Sequence, residues 1–311
     1  MKITEVRTYN HQDFPNLIHV EIRTDEGITG IGESYYFGSS IAAFINEFLG
    51  PAILGENPLD HEALAEKMHT YVGYNGSGVE TRGRSAIDIA IWDIKAKAAN
   101  QPLYQYLGGK HDDEIRFYNT CAGRGYMRKS NQSSKSWGID HNSDDLEDLK
   151  AFLTDAGQLA QNLLAEGITG MKIWPLDVYA EKNNGQDISD EDLHAGLDPL
   201  RKIRERVGSK MDIMLELHSL WSVPAATIIA NAVEEFSPFW IEDPFKNEAT
   251  DALVRFRRSI NSPLTVGETT GTRWDYQRIL SSGAVDHLMI DPGWCGGITE
   301  SVKIIPLLFI G

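Results

Sequence analysis

Hydrophobic and polar residues alternate along the first 34 positions, and apolar residues then recur at helical spacing to about residue 99. Alternation is typical of half-buried strands, so MKITEVRTYN, LIHVEIRT and TGIGES predict a small antiparallel sheet. Apolar positions three and four residues apart in IAAFINEFL, LDHEALAEKMHTYV and SAIDIAIWDIKAKAA predict amphipathic helices. The first part of the chain is therefore expected to be an α+β unit.

From Ile115 onwards, short apolar runs alternate with amphipathic segments. The runs IRFYNTC, TGMKIW, DIMLE, FWIE, LTVGE and HLMID predict strands, and helices are expected near 144–166, 191–207, 224–236, 249–260 and 274–281, with a sixth from about Ile298. About six successive β/α units predict a parallel α/β architecture, although a closed barrel has eight. We expect two domains, at 1–112 and 113–311.

Three glutamates, Glu216, Glu242 and Glu268, each end a short apolar run, and each lies 26 residues from the next. In a barrel of parallel strands, such acids would meet at the C-terminal face, where barrel enzymes carry their chemistry. Neighbouring carboxylates repel one another unless a positive charge lies between them, and oxygen ligands suit a hard divalent cation. The spacing therefore predicts a Mg²⁺ site. The alternative, three strand-end acids in water, leaves the regular interval unexplained.

Composition excludes several classes of protein. The formal charge is −16, the pI is near 5.0, and Lys and Arg form no run, so a nucleic-acid partner is not expected. Cys121 and Cys295 are the only cysteines and lie far apart, which indicates neither a disulfide framework nor a zinc site. Because no secretory h-region and no apolar stretch of membrane-spanning length occurs, a cytoplasmic protein without a membrane partner is expected.

Several segments together resemble the enolase superfamily, in its mandelate racemase subgroup. They are DEGITGIGES, SAIDIAIWDIKAKAANQPLYQYLGG, GMKIW, IEDP, GET and IDPGWCGGITES, and they extend along nearly the whole chain. The resemblance implies an α+β capping domain on a modified TIM (β/α) barrel, with Mg²⁺ held by Glu216, Glu242 and Glu268. Family members abstract the proton next to a carboxylate and stabilise the resulting enediolate on the metal.

Three further residues bear on the reaction that the resemblance implies. Lys172 matches the family lysine that pairs with the substrate carboxylate. Trp174 replaces a second lysine, which disfavours a two-base racemase, and its indole is a weak candidate for substrate contact as a wall of the pocket. His218 matches the histidine that protonates the departing hydroxyl in sugar-acid dehydratases of the subgroup. Strand alternation would place His218 on the same side as Glu216. The alternatives are a solvated Lys172, a Trp174 in the core and a loop histidine with structural partners.

Asp291 matches the family aspartate that orients a histidine base from the seventh strand. Neither that histidine nor the seventh and eighth strands occur in these 311 residues, so we expect a C-terminally truncated chain with impaired turnover. An open barrel exposes edge strands, which homo-oligomerisation would cover. The loop at 73–78 matches a region that caps the family active site, which makes Tyr74 and Asn75 weak candidates for substrate contact.

The expected function is the Mg²⁺-dependent dehydration of a small-molecule acid sugar, a galactonate- or gluconate-type aldonate, to a 2-keto-3-deoxy acid. Within the superfamily, the alternatives are a racemase, an epimerase or a cycloisomerase. Trp294 stands where cycloisomerase relatives carry a lysine base, which argues against that branch. A metal-binding pseudoenzyme without turnover is the alternative from a different class. Long polar insertions at 124–144 and 177–190 are candidates for selecting the sugar.

Overall fold

The computed structural model describes residues 1–69, 76–123 and 147–309. Its strands are β1 (Ile3–Asn10), β2 (Leu17–Thr24), β3 (Thr29–Tyr35), β4 (Gly170–Ile173), β5 (Asp212–Glu216), β6 (Trp240–Glu242), β7 (Leu264–Val266) and β8 (His287–Leu288). Within the described ranges, β1–β3 form an antiparallel sheet and β4–β8 form a parallel sheet. The predicted α/β architecture with an N-terminal α+β unit is confirmed.

Helices surround both sheets. In the N-terminal part they are α1 (Gly38–Phe44), which continues as a π-helix (Ile45–Leu49), α2 (Gly50–Ile53), α3 (His61–Lys67), α4 (Val79–Ala98) and α5 (Leu103–Tyr106). The second part contains α6 (Asp148–Ala165), α7 (Asp177–Ala180), α8 (Asp190–Val207), α9 (Val223–Val233), α10 (Thr250–Arg257), α11 (Thr272–Ser281), α12 (Pro292–Cys295) and α13 (Gly297–Ile304). None of the helices in the described ranges has the length and apolar character that crossing a bilayer requires.

The N-terminal sheet packs on α4. Ile18, Val20 and Ile22 of β2 are fully buried and alternate with partly exposed residues, as the sequence pattern predicts. On β3, a Cβ atom at Gly32 would lie only 1.9 Å from the carbonyl oxygen of Ala86 on α4. The glycines of TGIGES therefore let this strand approach the helix closely.

The parallel sheet follows chain order, and its strands are buried apolar runs. Every residue of β4, β6 and β7 is buried, which is typical of strands covered on both faces. In the register of the sheet, Glu216 at the end of β5 lies beside Glu242 at the end of β6. The fold thus brings two of the predicted metal ligands to the same edge.

The prediction of a strand over IRFYNTC is wrong for most of its length. In the described part of the chain, only Asn119 of this segment bridges to the sheet: its N–H donates to the Gly170 carbonyl, and its own carbonyl accepts from the Lys172 N–H. Ile115 and Phe117 are 87% and 65% exposed. Since these apolar side chains are not covered, the alternating pattern produces one bridged residue rather than a sixth strand.

Two large hydrophobic clusters form the core, one from Ile3 to Ile94 and one from Cys121 to Ala284. Contacts between α4 and α13 connect the two parts of the chain: Asp88 accepts hydrogen bonds from the N–H and the hydroxyl of Thr299, at 2.9 and 2.5 Å. The Trp92 indole also donates to the Thr299 hydroxyl, at 2.9 Å. The domain boundary at 112/113 stays a prediction.

Candidate active site

The three glutamates lie together at the carboxyl end of the parallel sheet. Glu216 and Glu242 are fully buried, whereas the Glu268 side chain is 35% exposed. Glu268 follows Gly267, whose φ of +129° and close approach to the Met289 carbonyl leave no room for a Cβ atom. This glycine turns the chain after β7 so that Glu268 faces the other two acids.

The Lys172 ammonium lies among these carboxylates. Its Nζ atom is 2.9 Å from Glu216 Oε2, 2.5 Å from Glu242 Oε1 and 3.9 Å from Glu268 Oε2. Burial alone lowers the pKa of Lys172, but the charges of Glu216 and Glu242 outweigh it and raise the pKa above its usual value. Lys172 is therefore a charged group of the site rather than a solvated strand-end lysine.

The three carboxylates of the triad carry more negative charge than the single Lys172 ammonium among them can balance. Burial raises the pKa of Glu242, and the charge of Glu216 adds to it, so this pKa is held well above its usual value. At Glu216 burial acts in the same direction, but the charges of His218 and Lys172 outweigh it and lower the pKa to about 2. Three carboxylates around one ammonium favour the entry of a further cation.

The donor set of the triad fits a hard divalent metal ion. One carboxylate oxygen from each glutamate lies within 4.8 Å of the others. Such oxygens are the ligands that Mg²⁺ prefers, and a buried cluster supplies them without water as a competitor. The Trp240 indole donates to Glu242 Oε2 at 2.9 Å and so fixes the orientation of that carboxylate.

His218 lies in a turn after β5 and not within the strand. β5 ends at Glu216, and His218 and Ser219 both have positive φ, 48° and 57°. The strand does not persist to His218, so alternation does not place this side chain, although it lines the same cavity as Lys172 and Glu268. Burial lowers the pKa of His218, but the charges of Asp177 and Glu216 outweigh it and raise the pKa to about 10.

Asp291 caps the N-terminus of α12 and contacts Tyr35, which lines the cavity. Its Oδ1 atom accepts from the Gly293 N–H at 2.7 Å, and its Oδ2 atom accepts from the Tyr35 hydroxyl at 2.5 Å. No histidine in the described ranges is hydrogen-bonded to this carboxylate. The partner of Asp291 in these ranges is a tyrosine from the N-terminal sheet.

A cavity of about 180 Å³ opens beside the triad. Its walls bring together four of the predicted site residues: Lys172, Trp174, His218 and Glu268. The other lining residues are Tyr35, Tyr36, Thr120, Ala122, Thr269 and Trp294. The predicted Tyr74 and Asn75, and the insertion at 124–144, lie outside the described residues.

Sequence reasoning missed two polar groups in the site. Asp177 is buried and contacts His218 Nδ1 at 2.6 Å, although 41 residues separate them and no motif connects them. The only signal for Asp177 was its place in a long polar insertion after a strand. Tyr35 gave no signal, because its pairing with Asp291 joins two distant parts of the chain.

Comparisons with known proteins agree with this arrangement. Residues 4–108 match the family "Mandelate racemase / muconate lactonizing enzyme, N-terminal domain", and residues 155–308 match "Enolase C-terminal domain-like". D-galactonate dehydratase of Variovorax paradoxus (strain S110) is 28% identical over 306 residues, which are 98% of this chain and 71% of that protein.

Solved structures are similar over the whole chain. An enolase of the mandelate racemase subgroup from Agrobacterium tumefaciens is 40% identical, with a TM-score of 0.85 over 100% of this chain and 76% of that one. An enolase protein from environmental sequencing of the Sargasso Sea is 35% identical, with a TM-score of 0.87 over 99% and 76%. The chain therefore belongs to the enolase superfamily, in the mandelate racemase/muconate lactonizing enzyme family.

Proposed function

We propose that this protein is a Mg²⁺-dependent acid-sugar dehydratase that converts an aldonate into a 2-keto-3-deoxy acid. The observation that carries the proposal is that one cavity is lined by Lys172, His218 and Glu268, beside the other two glutamates. A cation for the substrate carboxylate, a set of metal ligands and a proton donor are three of the groups that such an elimination needs; the fourth is a base for the α-proton. The 28% identity to a D-galactonate dehydratase supports this reaction class.

Glu216, Glu242 and Glu268 would hold the Mg²⁺ ion. When bound there, the ion would stabilise the negative charge that develops on the substrate as its α-proton leaves. Removing that proton is difficult, because the new charge adds to the charge that the carboxylate already carries. A fixed cluster of charges that does not reorganise is the environment in which electrostatic stabilisation is strongest.

The remaining roles belong to side chains of the cavity. Lys172 pairs with the substrate carboxylate, and His218 donates a proton to the departing hydroxyl. His218 is the one histidine that lines the cavity in the described part of the chain. Trp174 provides an apolar wall 5.6 Å from the His218 ring, which keeps water away from the proton donor. Asp291 would orient the base that receives the α-proton; among the described residues its side-chain partner is the Tyr35 hydroxyl and not a histidine.

A library of acid sugars tests this function. The full chain is incubated with each acid and MgCl₂, and 2-keto-3-deoxy products are detected with semicarbazide. We expect a keto product from at least one aldonate, and its loss in His218→Gln. Solvent deuterium in recovered substrate without a keto product would indicate an epimerase or racemase instead, and no reaction with any acid would refute a catalytic function.

A further inference from the structure

A buried carboxylate that is not one of the three glutamates lies next to the proposed proton donor. Asp177 begins α7, four residues after β4 ends, and is 3% exposed. Its Oδ2 atom lies 2.6 Å from His218 Nδ1. Its other oxygen, Oδ1, is buried and has no hydrogen-bond partner among the described residues.

This arrangement is costly for a residue that serves folding alone. A buried polar atom without a partner loses its hydration without compensation, which costs about 1–3 kcal/mol and more for a charged group. The lone ion pair with His218 is all that offsets the burial of Asp177 within the described ranges. A costly contact that points directly at a cavity residue indicates a functional role.

The His218 ring is held on several sides. The Trp174 ring meets it edge-on, with a ring separation of 5.6 Å and an interplanar angle of 72°. The backbone N–H of His218 donates to Glu216 Oε1 at 2.7 Å. With Nδ1 directed at Asp177, the opposite ring nitrogen, Nε2, is the one left for the cavity, and no described residue hydrogen-bonds to it.

We infer that Asp177 is a positioning residue that holds His218 with its Nδ1–H towards Asp177 and its Nε2 towards the substrate. The inference rests on the proposed dehydratase function, because it concerns the proton donor of that reaction. The Nε2 proton passes to the departing hydroxyl, the C–O bond breaks with its electron pair on oxygen, and water leaves. The ring is left neutral with its proton on Nδ1, and Asp177 keeps its charge throughout.

Two substitutions at Asp177 separate this role from folding. Asp177→Asn keeps the size of the side chain and removes the charge, and Asp177→Ala removes the contact. The matched control is Asp192→Asn on α8, whose carboxylate pairs with Lys182 away from the cavity. Far-UV circular dichroism and thermal unfolding identify any variant that does not fold.

The first readout needs no turnover. The full chain is labelled with ¹⁵N-histidine, and the His218 signals are assigned by their loss in His218→Gln. We expect a hydrogen-bonded Nδ1–H signal in the wild type and in Asp192→Asn, and its absence in Asp177→Ala. The same Nδ1–H signal in Asp177→Ala would overturn the inference, whether or not the protein dehydrates any acid.

The second readout uses an aldonate that the wild type dehydrates with MgCl₂. We expect Asp177→Asn to lower kcat by about 10- to 100-fold, the usual effect of removing an orienting partner, with KM nearly unchanged. If the wild type turns over and Asp177→Asn keeps its kcat, the inference fails while the dehydratase function stands. If the wild type forms no product, the proposed function fails, and the histidine spectra alone decide the role of Asp177.

Discussion

Tyr35, the last residue of β3, donates a 2.5 Å hydrogen bond to Asp291 at the start of α12. Its ring also packs against Trp294, with 5.3 Å between the ring centroids. Burial and the charge of Asp291 raise the pKa of the Tyr35 phenol, so its proton is available for this bond at all physiological pH values. The N-terminal sheet therefore forms part of the cavity wall directly.

Tyr35→Phe tests this connection between the two parts of the chain. The substitution removes the hydroxyl and leaves a carboxylate oxygen of Asp291 without its donor. We expect the free energy of unfolding to fall by about 1.5–3 kcal/mol, as for other hydrogen bonds to charged groups. Urea denaturation measures the change, with Tyr104→Phe at an exposed tyrosine as the control. Equal stability of the two variants would contradict the finding.

Lys172→Met tests the electrostatic balance of the triad. Lys172 is buried and contacts two fully buried glutamates, so its removal leaves these carboxylates without the ammonium that lies between them. Breaking a buried charge network in this way costs about 3–5 kcal/mol. We expect a large loss of thermal stability without metal, and partial recovery in MgCl₂. Lys210→Met, at an exposed lysine, is the control; a loss no greater than that of the control would refute the account.

The sequence predicts the architecture well because burial on both strand faces leaves a strong signal. The runs DIMLE, FWIE and LTVGE are strands, and the acids at or just after their ends meet as the even spacing predicts. IRFYNTC has the same apolar character but lies at an edge, where one bridged residue is all that pairs in the described ranges. Local pattern does not distinguish a covered strand from an uncovered edge.

We expect Asp88 to make the stability of the protein depend on pH. Burial raises the pKa of Asp88 to about 6, and the hydrogen bonds from Thr299 only partly oppose this. A carboxyl group whose pKa is raised in the folded state binds its proton more tightly there, so its contribution to stability falls as pH rises from about 4 to about 6.

The matched substitution is Asp88→Asn, which cannot titrate. Relative to this variant, the wild type is expected to lose about 2–2.5 kcal/mol of stability between pH 4 and pH 7, most of the free energy that corresponds to the pKa shift. Unfolding in urea at several pH values gives this difference directly. A difference that does not change with pH, or that grows in favour of the wild type as pH rises, would contradict the assignment.

Arg82 on α4 supports the aromatic wall of the cavity. Its Nη1 atom donates to the carbonyls of Tyr35 and Tyr36, at 3.1 and 2.9 Å, and its guanidinium lies 4.4 Å from the centroid of the Trp294 ring. Lysine keeps the charge but lacks the planar set of donors, so it cannot make these contacts together.

Arg82→Lys is therefore expected to lower the free energy of unfolding by about 1–2 kcal/mol and to raise KM for the acid sugar more than it lowers kcat. Urea denaturation and steady-state kinetics with MgCl₂ measure the two effects. Arg255→Lys, at an exposed arginine of α10, is the control. Unchanged stability and KM in Arg82→Lys would show that the wall does not depend on this residue.

The parts of the site that sequence reasoning missed are contacts between distant segments. Asp177 and His218, Tyr35 and Asp291, and Arg82 and Trp294 each meet through tertiary packing, with no fixed spacing between the partners. The three glutamates differ because their interval reflects the repeat length of successive β/α units. A repeat is visible in one sequence, whereas a single pairing across the fold is not.

The most direct test of the central claim, that Glu216, Glu242 and Glu268 form one metal site, is calorimetric titration of the full chain with MgCl₂. We predict one Mg²⁺ ion bound per chain, no binding in Glu242→Gln, and unchanged binding in Glu166→Gln, at an exposed glutamate. Mg²⁺ binding that persists undiminished in Glu242→Gln, or the absence of binding in the wild type, would contradict the claim.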